Sequence, residues 1–517
     1  MYLIEELTMY RLAQQLTEKG NFEVIHIDGN NKEIWLEKYE RKSSEVVRLV
    51  HEGFDWKNHL KRDIATVFQK AKGMKRFFGG KHVQIHNVYI SSHSPVDDWE
   101  ILKKPMQLDE KNPIKMKVYY LSEAEAANEL NRLQRNTDST IKFNIPSNQP
   151  EEEMEEEVRT IRSRLGDQYK RRRKEEEDVF KKGKPLLTYI LLAVNIFMFY
   201  LLETNGGSES TDVLIQYGAK YNPAILEDGE WWRIVSSMFL HIGFLHLLMN
   251  MLAVYYLGTA VERIYGSFRF IIIYFLAGIG GGLASFAFNT SIAAGASGAL
   301  FGLFGALLFF GLVHKRIFFQ TMGTNLLIVI GINVVFGLSV PQIDNGAHFG
   351  GLIAGFIASA ILHLPGKRKI AIQLTALLLY AAMLFGLIQY GTERNLESQM
   401  YYVMKAELLI KKEKHEEVIG TATKGLEYTG EFESQLLFHR SYAYIQEGQT
   451  KKAIDDLRNA LEINSSFPEA HYNLAILYQN QGEMKKAKQH IEQAYDLRPD
   501  KEDIQKLYEQ IKEKSMD

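Results

Sequence analysis

The sequence has no cysteine, which excludes disulfides, cysteine-ligated zinc and thiolate catalysis. It has no strong charge of either sign: the formal net charge is -2, which says little about partners because unlike regions are pooled in it. The opening stretch, MYLIEELTMYRLAQQLTEKG, lacks the basic-then-apolar order of a secretory signal. It reads as a charged amphipathic helix, so the first domain is expected to stay in the cytosol. At 517 residues the chain is also too long for one ordinary domain.

A charged front, an apolar middle and a charged tail are present instead. Seven apolar stretches, at 185–203, 238–258, 268–288, 295–313, 322–340, 346–364 and 370–390, have the roughly 20-residue length that a bilayer requires. Basic residues precede the first (Lys181, Lys182, Lys184). They recur after the second (Arg263, Arg269), the fourth (Lys315, Arg316) and the sixth (Lys367, Arg368, Lys369). The intervening loops are almost free of them, Lys220 and Arg233 excepted. Basic loops stay on the cytoplasmic side, so the N-terminus is expected inside the cell and, after seven crossings, the C-terminal region outside.

Residues 1–144 read as a soluble α/β domain. The runs FEVIHID, IWLEKY, EVVRLVH, VQIHNVYI and IKMKVYYL are β-branched and aromatic, as strands are. A helix is expected from Asp55 to Phe78, and another from Ser122, where Glu125 completes a capping box. His82, His86, His93, Asp97 and Asp98 lie close in sequence. They are candidates for a regulatory divalent cation, or simply the polar edge of a sheet. Residues 145–184, with PEEEMEEE and KRRRKEEEDVFKKGK, have little to bury and read as a charged linker. Their basic block is suited to anionic lipid headgroups or to a solvated helix.

The tail repeats itself. Leu474, Ala475, Tyr478, Gly482, Ala487, Ala494 and Pro499 fall at the pattern positions of a tetratricopeptide repeat, which the segment from Pro468 to Asp500 resembles throughout. Tyr444, Gly448, Ala453 and Ala460 match it one repeat earlier. A weaker copy near 400–430 keeps Val418 and Gly425. Residues 392–517 are thus expected to form an all-α solenoid with a terminal polar helix, a surface that takes protein or peptide partners.

Four features of the apolar middle need explaining together: HIGFLHLLMN with His246 and Asn250, GASG with Ser297, GAHFGGLIAG with His348, and, in the long loop, EWWR with Trp232 and Arg233. With the orientation above, Ser297, His348, His246 and Asn250 share one depth below the outer face. Taken singly, each has a plain explanation. Ser297 among glycines suits packing, since Gly298, Gly302 and Gly305 follow small-xxx-small spacing. His246 and Asn250 share a helix face and suit interhelical hydrogen bonds. Together they favour chemistry. Gly298, Gly351 and Gly355 let two segments approach until Ser297 and His348 meet as a nucleophile and its base. A helix starting at Ser297 offers N–H groups to an oxyanion.

The set HLLMN, GASG and AHFGG, in this order, resembles the rhomboid intramembrane serine proteases over residues 185–391. The resemblance implies a six-helix core with one added helix. It makes Ser297 the nucleophile, His348 the general base, and His246, Asn250 and the Ser297 amide the oxyanion hole. Gly295 then belongs to the nucleophile motif, Trp232 and Arg233 to a structural loop, and Glu262 and Arg263 to the inner face. The whole plan is similar to a Gram-positive bacterial subgroup, which implies a multi-pass protein of the bacterial cell membrane. No cofactor is expected for catalysis, and the expected partners are membrane-protein substrates, the lipid bilayer and ligands of the repeats, with no nucleic acid. Two other classes fit less of the pattern. One is an inactive rhomboid-like binder. The other is a transporter lined by Asn195 and Asn333, for which the seven segments lack internal symmetry.

Overall fold

A computed structural model describes residues 2–28, 32–40, 43–74, 78, 82–107, 114–139, 149–366 and 369–514. Lys367 and Arg368, two of the basic residues used for orientation, lie outside them. The chain forms two compact units, Met1–Lys181 with Gly311–Asn325, and Lys182–Phe310 with Leu326–Asp517.

The first unit runs α1 (Tyr2–Lys19), β1 (Glu23–Asp28), β2 (Glu33–Glu40), β3 (Ser43–Val50), α2 (Lys57–Gly73), β4 (His82–Ile90), β5 (Met106–Gln107), β6 (Ile114–Leu121), α3 (Ala126–Thr137) and α4 (Glu151–Asp178). All five predicted strands form, and the short β5 joins them in a sheet of order β1-β2-β3-β4-β6-β5. The β3–β4 and β4–β6 pairs are parallel, and the sheet is covered on both faces. Period-2 alternation divides its residues. Ile34, Leu36, Val47, Leu49, Val88, Ile90, Tyr119 and Leu121 pack with α1, α3 and α4. Trp35, Val46, Val50, Ile85, Tyr89, Val118 and Tyr120 pack with α2.

Three expectations are corrected here. The stretch read as a charged linker contains α4, whose Met154, Val158, Ile161 and Leu165 are buried in the core of the first unit. Their spacing of four, three and four residues makes one apolar stripe, and Arg11 of α1 fastens the helix by donating to both carboxylate oxygens of Glu157 at 2.7 and 2.6 Å. The Ser122–Glu125 capping box does not form. α3 starts at Ala126 without a side-chain cap, because the Glu125 carboxylate is taken by Lys103 Nζ at 2.9 Å. The cation candidates do not converge, and among the described residues no group of three or more His, Asp or Glu side chains is placed to hold a metal. His86 is buried against the Tyr119 hydroxyl, 3.0 Å away, while His93 reaches Asp55 at 3.2 Å. Asp97 accepts from the Lys57 amide at 2.6 Å at the start of α2, Asp98 accepts from the Glu100 amide, and His82 is exposed at the head of β4.

The second unit begins with α5 (Leu186–Thr204). A long loop follows with α6 (Thr211–Gln216), α7 (Asn222–Glu227) and α8 (Arg233–Ser236). The next span is α9 (Phe244–Ala253), a π-helical turn at Val254–Gly258, and α10 (Thr259–Tyr265). It starts later than the apolar run suggests, since the chain turns at Gly243 with φ 73°. Then come α11 (Ser267–Phe288) and α12 (Ser297–Val313). α13 (Lys315–Thr321) clusters with the first unit, where Arg316 pairs with the buried Glu37 at 2.7 Å. α14 (Gly323–Ser339), α15 (Asn345–Leu362) and α16 (Ile370–Leu396) complete the apolar region. α5, α9 with α10, α11, α15 and α16 are each long and apolar enough to cross a bilayer. α12 and α14 are apolar helices of 17 residues, and α14 forms with α13 a candidate span bent by 73°.

Helix pairs α17 (Gln399–Lys411) and α18 (His415–Gly425), α19 (Glu433–Gln446) and α20 (Thr450–Ile463), and α21 (Pro468–Asn480) and α22 (Met484–Leu497) follow, closed by α23 (Glu502–Lys514). Ala453, Ala460, Ala487 and Ala494 are fully buried where paired helices touch, as the repeat pattern requires. α17 also packs on the first loop of the membrane region. The Tyr221 hydroxyl donates to the Met404 carbonyl at 2.6 Å, and Tyr401 and Lys405 both reach Glu227, the latter at 2.8 Å.

Candidate active site

Two of the motifs, GASG with Ser297 and GAHFGGLIAG with His348, come together through the packing of α12 on α15. Neither helix has side chains at the crossing. A β-carbon at Gly351 would lie 1.9 Å from the Gly298 carbonyl oxygen, and one at Gly355 would lie 2.1 Å from the Gly302 oxygen. The two backbones therefore touch, which only glycine permits. Ser297 is the first residue of α12 and His348 lies in the first turn of α15, so this contact holds them at one end of the pair. The His348 ring stacks on Phe301, one turn beyond Ser297, with centroids 4.0 Å apart and planes 11° from parallel. Among the described residues neither the Ser297 hydroxyl nor the His348 ring makes a hydrogen bond. Such bonds are often long before substrate arrives.

His246 approaches from α9. A β-carbon at Gly295, whose φ is 148°, would fall 3.0 Å from His246 Nε2 and 3.8 Å from Ser297 Oγ. The ring and the hydroxyl thus bracket the same point, and glycine keeps it open. His246 Nδ1 accepts weakly from the Ile242 amide at 3.4 Å, which leaves Nε2 for the site. Asn250 is buried, and its amide donates to the His246 carbonyl at 2.9 Å. One N–H of that amide remains for another acceptor.

Supporting residues hold the frame. Arg233 donates to Glu230 at 2.6 Å and to the carbonyls of Ile215 and Ala219 at 2.7 and 3.2 Å. Its guanidinium lies 4.8 Å from the centre of the Trp232 ring. Glu262 is buried and accepts from the Leu187 and Thr188 amides and from the Thr188 and Ser267 hydroxyls. The N-terminus of α5 is thereby capped by a carboxylate on α10. Asn195 and Asn333 each donate to the carbonyl four residues earlier in their own helices.

Sequence reasoning missed three residues near the site. His241 is fully buried with its ring edge-on to His246, 5.3 Å away. Asp344 accepts from the Ala347 amide at 2.9 Å and so caps α15. Lys220 is buried with its ammonium on the Asn289 carbonyl at 2.6 Å. Burial pulls its pKa down to about 8, against the attraction of Asp344. The [ST]-x-x-[DE] type of signal does not find Asp344, and Lys220 had stood out only as a basic residue in a loop otherwise poor in them.

Ser297 at a helix start, His348 on the touching helix and His246 over Gly295 thus lie together among the apolar helices. Comparison with known proteins gives the family. The Rhomboid domain matches residues 228–365, and tetratricopeptide repeat families match residues 442–482 and 468–501. Rhomboid protease GluP of Bacillus subtilis (strain 168) is 35% identical over 486 residues, covering 92% of each chain. RHOMBOID-like protein 6, mitochondrial, of Arabidopsis thaliana is 40% identical over 172 residues, 32% of this chain and 55% of that one. Putative rhomboid protease YdcA of Bacillus subtilis (strain 168) is 30% identical over 200 residues, 38% of this chain and 98% of that one. The chain belongs to the rhomboid family: it is a multi-pass membrane serine protease with C-terminal tetratricopeptide repeats. Its substrates are membrane proteins, and its repeats take peptide or protein partners.

Proposed function

We propose that Ser297 and His348 form the catalytic dyad and cut a substrate's transmembrane segment near the outer face of a bacterial cell membrane. The glycine-lined contact of α12 and α15 carries this reading, because it brings the serine-bearing helix start against the histidine-bearing turn. Ser297 Oγ gives its proton to His348 and attacks the scissile carbonyl. The C–N bond then breaks as His348 returns the proton to the leaving amine, and a water activated by His348 hydrolyses the acyl-enzyme to free the new carboxylate and restore Ser297. His246 Nε2, the free N–H of Asn250 and the Ser297 amide surround the developing oxyanion, where one donor is worth roughly 10²–10³ in rate. A helical carbonyl is shielded by its own hydrogen bond, so substrates that unwind easily near the outer boundary are preferred.

Contacts of the loops support the orientation. Arg316 follows the fourth span and pairs with Glu37 of the N-terminal domain, as expected if both are cytoplasmic. α17 follows the seventh span and packs on the loop after the first, as expected if both are outside. The outer repeats recruit substrates or receive products, the lipid bilayer surrounds the spans, nucleic acid has no role, and the N-terminal domain regulates cleavage.

The test is cleavage of a single-span substrate in liposomes by wild type, Ser297→Ala and His348→Ala, with the new terminus sequenced. Wild type alone should cut, near the outer boundary. Equal cutting by Ser297→Ala would refute the dyad. No labelling of wild type by a fluorophosphonate would favour an inactive binder.

A further inference from the structure

One residue outside the proposed dyad holds the segment that leads into Ser297 and is linked through Asn289 to the start of the His348 helix. Lys220 lies in the loop between α6 and α7 and is 1% exposed. Its backbone pairs with Ala293 in both directions, at 2.9 and 3.1 Å. Its ammonium holds the Asn289 carbonyl at 2.6 Å. The segment from Asn289 to Ala293, which leads directly into Gly295 and Ser297, is thus fixed at both ends by one residue. Asn289 passes this hold onward, its amide donating to Asp344 Oδ2 at 2.9 Å, where the Ser285 hydroxyl also donates. Asp344 Oδ1 accepts from the Ala347 amide at 2.9 Å. Its backbone carbonyl accepts from the His348 amide at 3.1 Å.

We infer that Lys220 and Asp344, joined through Asn289, form a cation–anion clamp that sets the approach of Ser297 to His348, making both positioning residues for the hydrolysis. The inference rests on the dyad proposed above. The glycine contacts fix how close α12 and α15 come, but they lie on the far side of the two side chains from the loops. The approach to Ser297 is held by the Lys220–Ala293 pairing and by the Gly295 amide on the Ser237 carbonyl at 2.9 Å. The clamp ties this segment to the start of α15 through Asn289. A charged pair suits the place: the carboxylate faces a helix N-terminus, and a buried ammonium without a counter-ion would be expelled or neutralised. Asn289 lies between the two charges, its carbonyl on the cation and its amide on the anion. Loss of either charge therefore loosens both sides at once.

The test uses the full chain in liposomes, with active sites titrated by a fluorophosphonate and kcat and KM measured per titrated site. A misplacement near 1 Å costs about 10²-fold, so Asp344→Ala should lower kcat about 10- to 100-fold and slow labelling of Ser297 in parallel. KM should stay within about twofold, because substrate docking does not pass through the clamp. Asp344→Asn keeps a capping oxygen and loses the charge, so its loss should be smaller, about 3- to 10-fold. Lys220→Met should resemble Asp344→Ala, since its backbone pairing with Ala293 survives while the cation does not. A purely structural role would lower the titratable fraction and the melting temperature and leave kcat per site unchanged. That outcome overturns the clamp. If the alanine and methionine variants do not fold, Asp344→Asn decides alone, and an unchanged kcat per site again overturns the clamp. Ser297→Ala serves as the separate control. If it cleaves like wild type, the dyad fails. If it is inactive while Asp344→Ala is normal, only the clamp fails.

Discussion

Gly355→Ala isolates the part played by helix spacing, because position 355 lies two turns below His348 on α15. The added β-carbon would lie 2.1 Å from the Gly302 oxygen and 2.4 Å from its α-carbon, whereas ordinary contact begins near 3.4 Å. The nearest atoms are backbone and cannot swing aside, so the helices must separate by about 1.3 Å at this level. Overpacking of this kind costs about 1–3 kcal/mol, which a helix pair buried in a bilayer should survive. A shift near 1 Å between the serine and its base is expected to cost about 10²-fold in rate. The assay is kcat per fluorophosphonate-titrated site, beside the melting temperature in the same detergent. The expected result is a large fall in kcat with a modest fall in melting temperature. Full activity in Gly355→Ala would refute the claim that the glycine contact sets the catalytic distance.

Two further outcomes are expected in the N-terminal domain. Leu165→Ala should destabilise it by about 2–5 kcal/mol and expose the Lys170–Lys174 run to trypsin, whereas a free linker would be cut equally in both proteins. His86 is held neutral by burial, its pKa brought from 6.5 to about 3. The unfolded chain therefore binds more protons than the folded one between these values, and stability falls as the pH drops below 6.5. Between pH 6.5 and 5 the loss approaches about 2 kcal/mol. Hydrogen exchange corrected for intrinsic rates should show protection of 82–90 and 114–121 falling over that range, and falling less in His86→Phe.

The parts of this chain legible in sequence are those written in local pattern. The strands of the first unit show as β-branched runs, and the repeats show because alanines and glycines recur at a fixed offset. Ser297, His348, His246 and Asn250 stood out because polar groups in apolar helices are costly unless used. α4 was obscured by its charges: Met154, Val158, Ile161 and Leu165 form a regular stripe, but a run dominated by Glu, Lys and Arg reads first as solvated. The cation candidates failed for the opposite reason. Nearness in sequence does not bring side chains together on an extended strand: His82 and His86 share a face of β4 but stand about 13 Å apart along it, and the turn after the strand carries His93 elsewhere. Lys220 and Asp344 lie far apart in the chain, so their meeting depends on the tertiary fold.

The join between α16 and the repeats has its own consequence. α16 ends at Leu396 and α17 begins at Gln399, and α17 is fastened to the first loop by Tyr221, Tyr401 and Lys405. No slack chain separates the two modules. A ligand held by the repeats is therefore not on a leash that samples a wide volume. It is offered at a fixed offset, and its effective concentration at the protease is set by geometry. If the repeats recruit substrates as proposed, they work as a ruler: a client whose cleavage segment lies at the matching distance from its captured segment is favoured over one too short to span it.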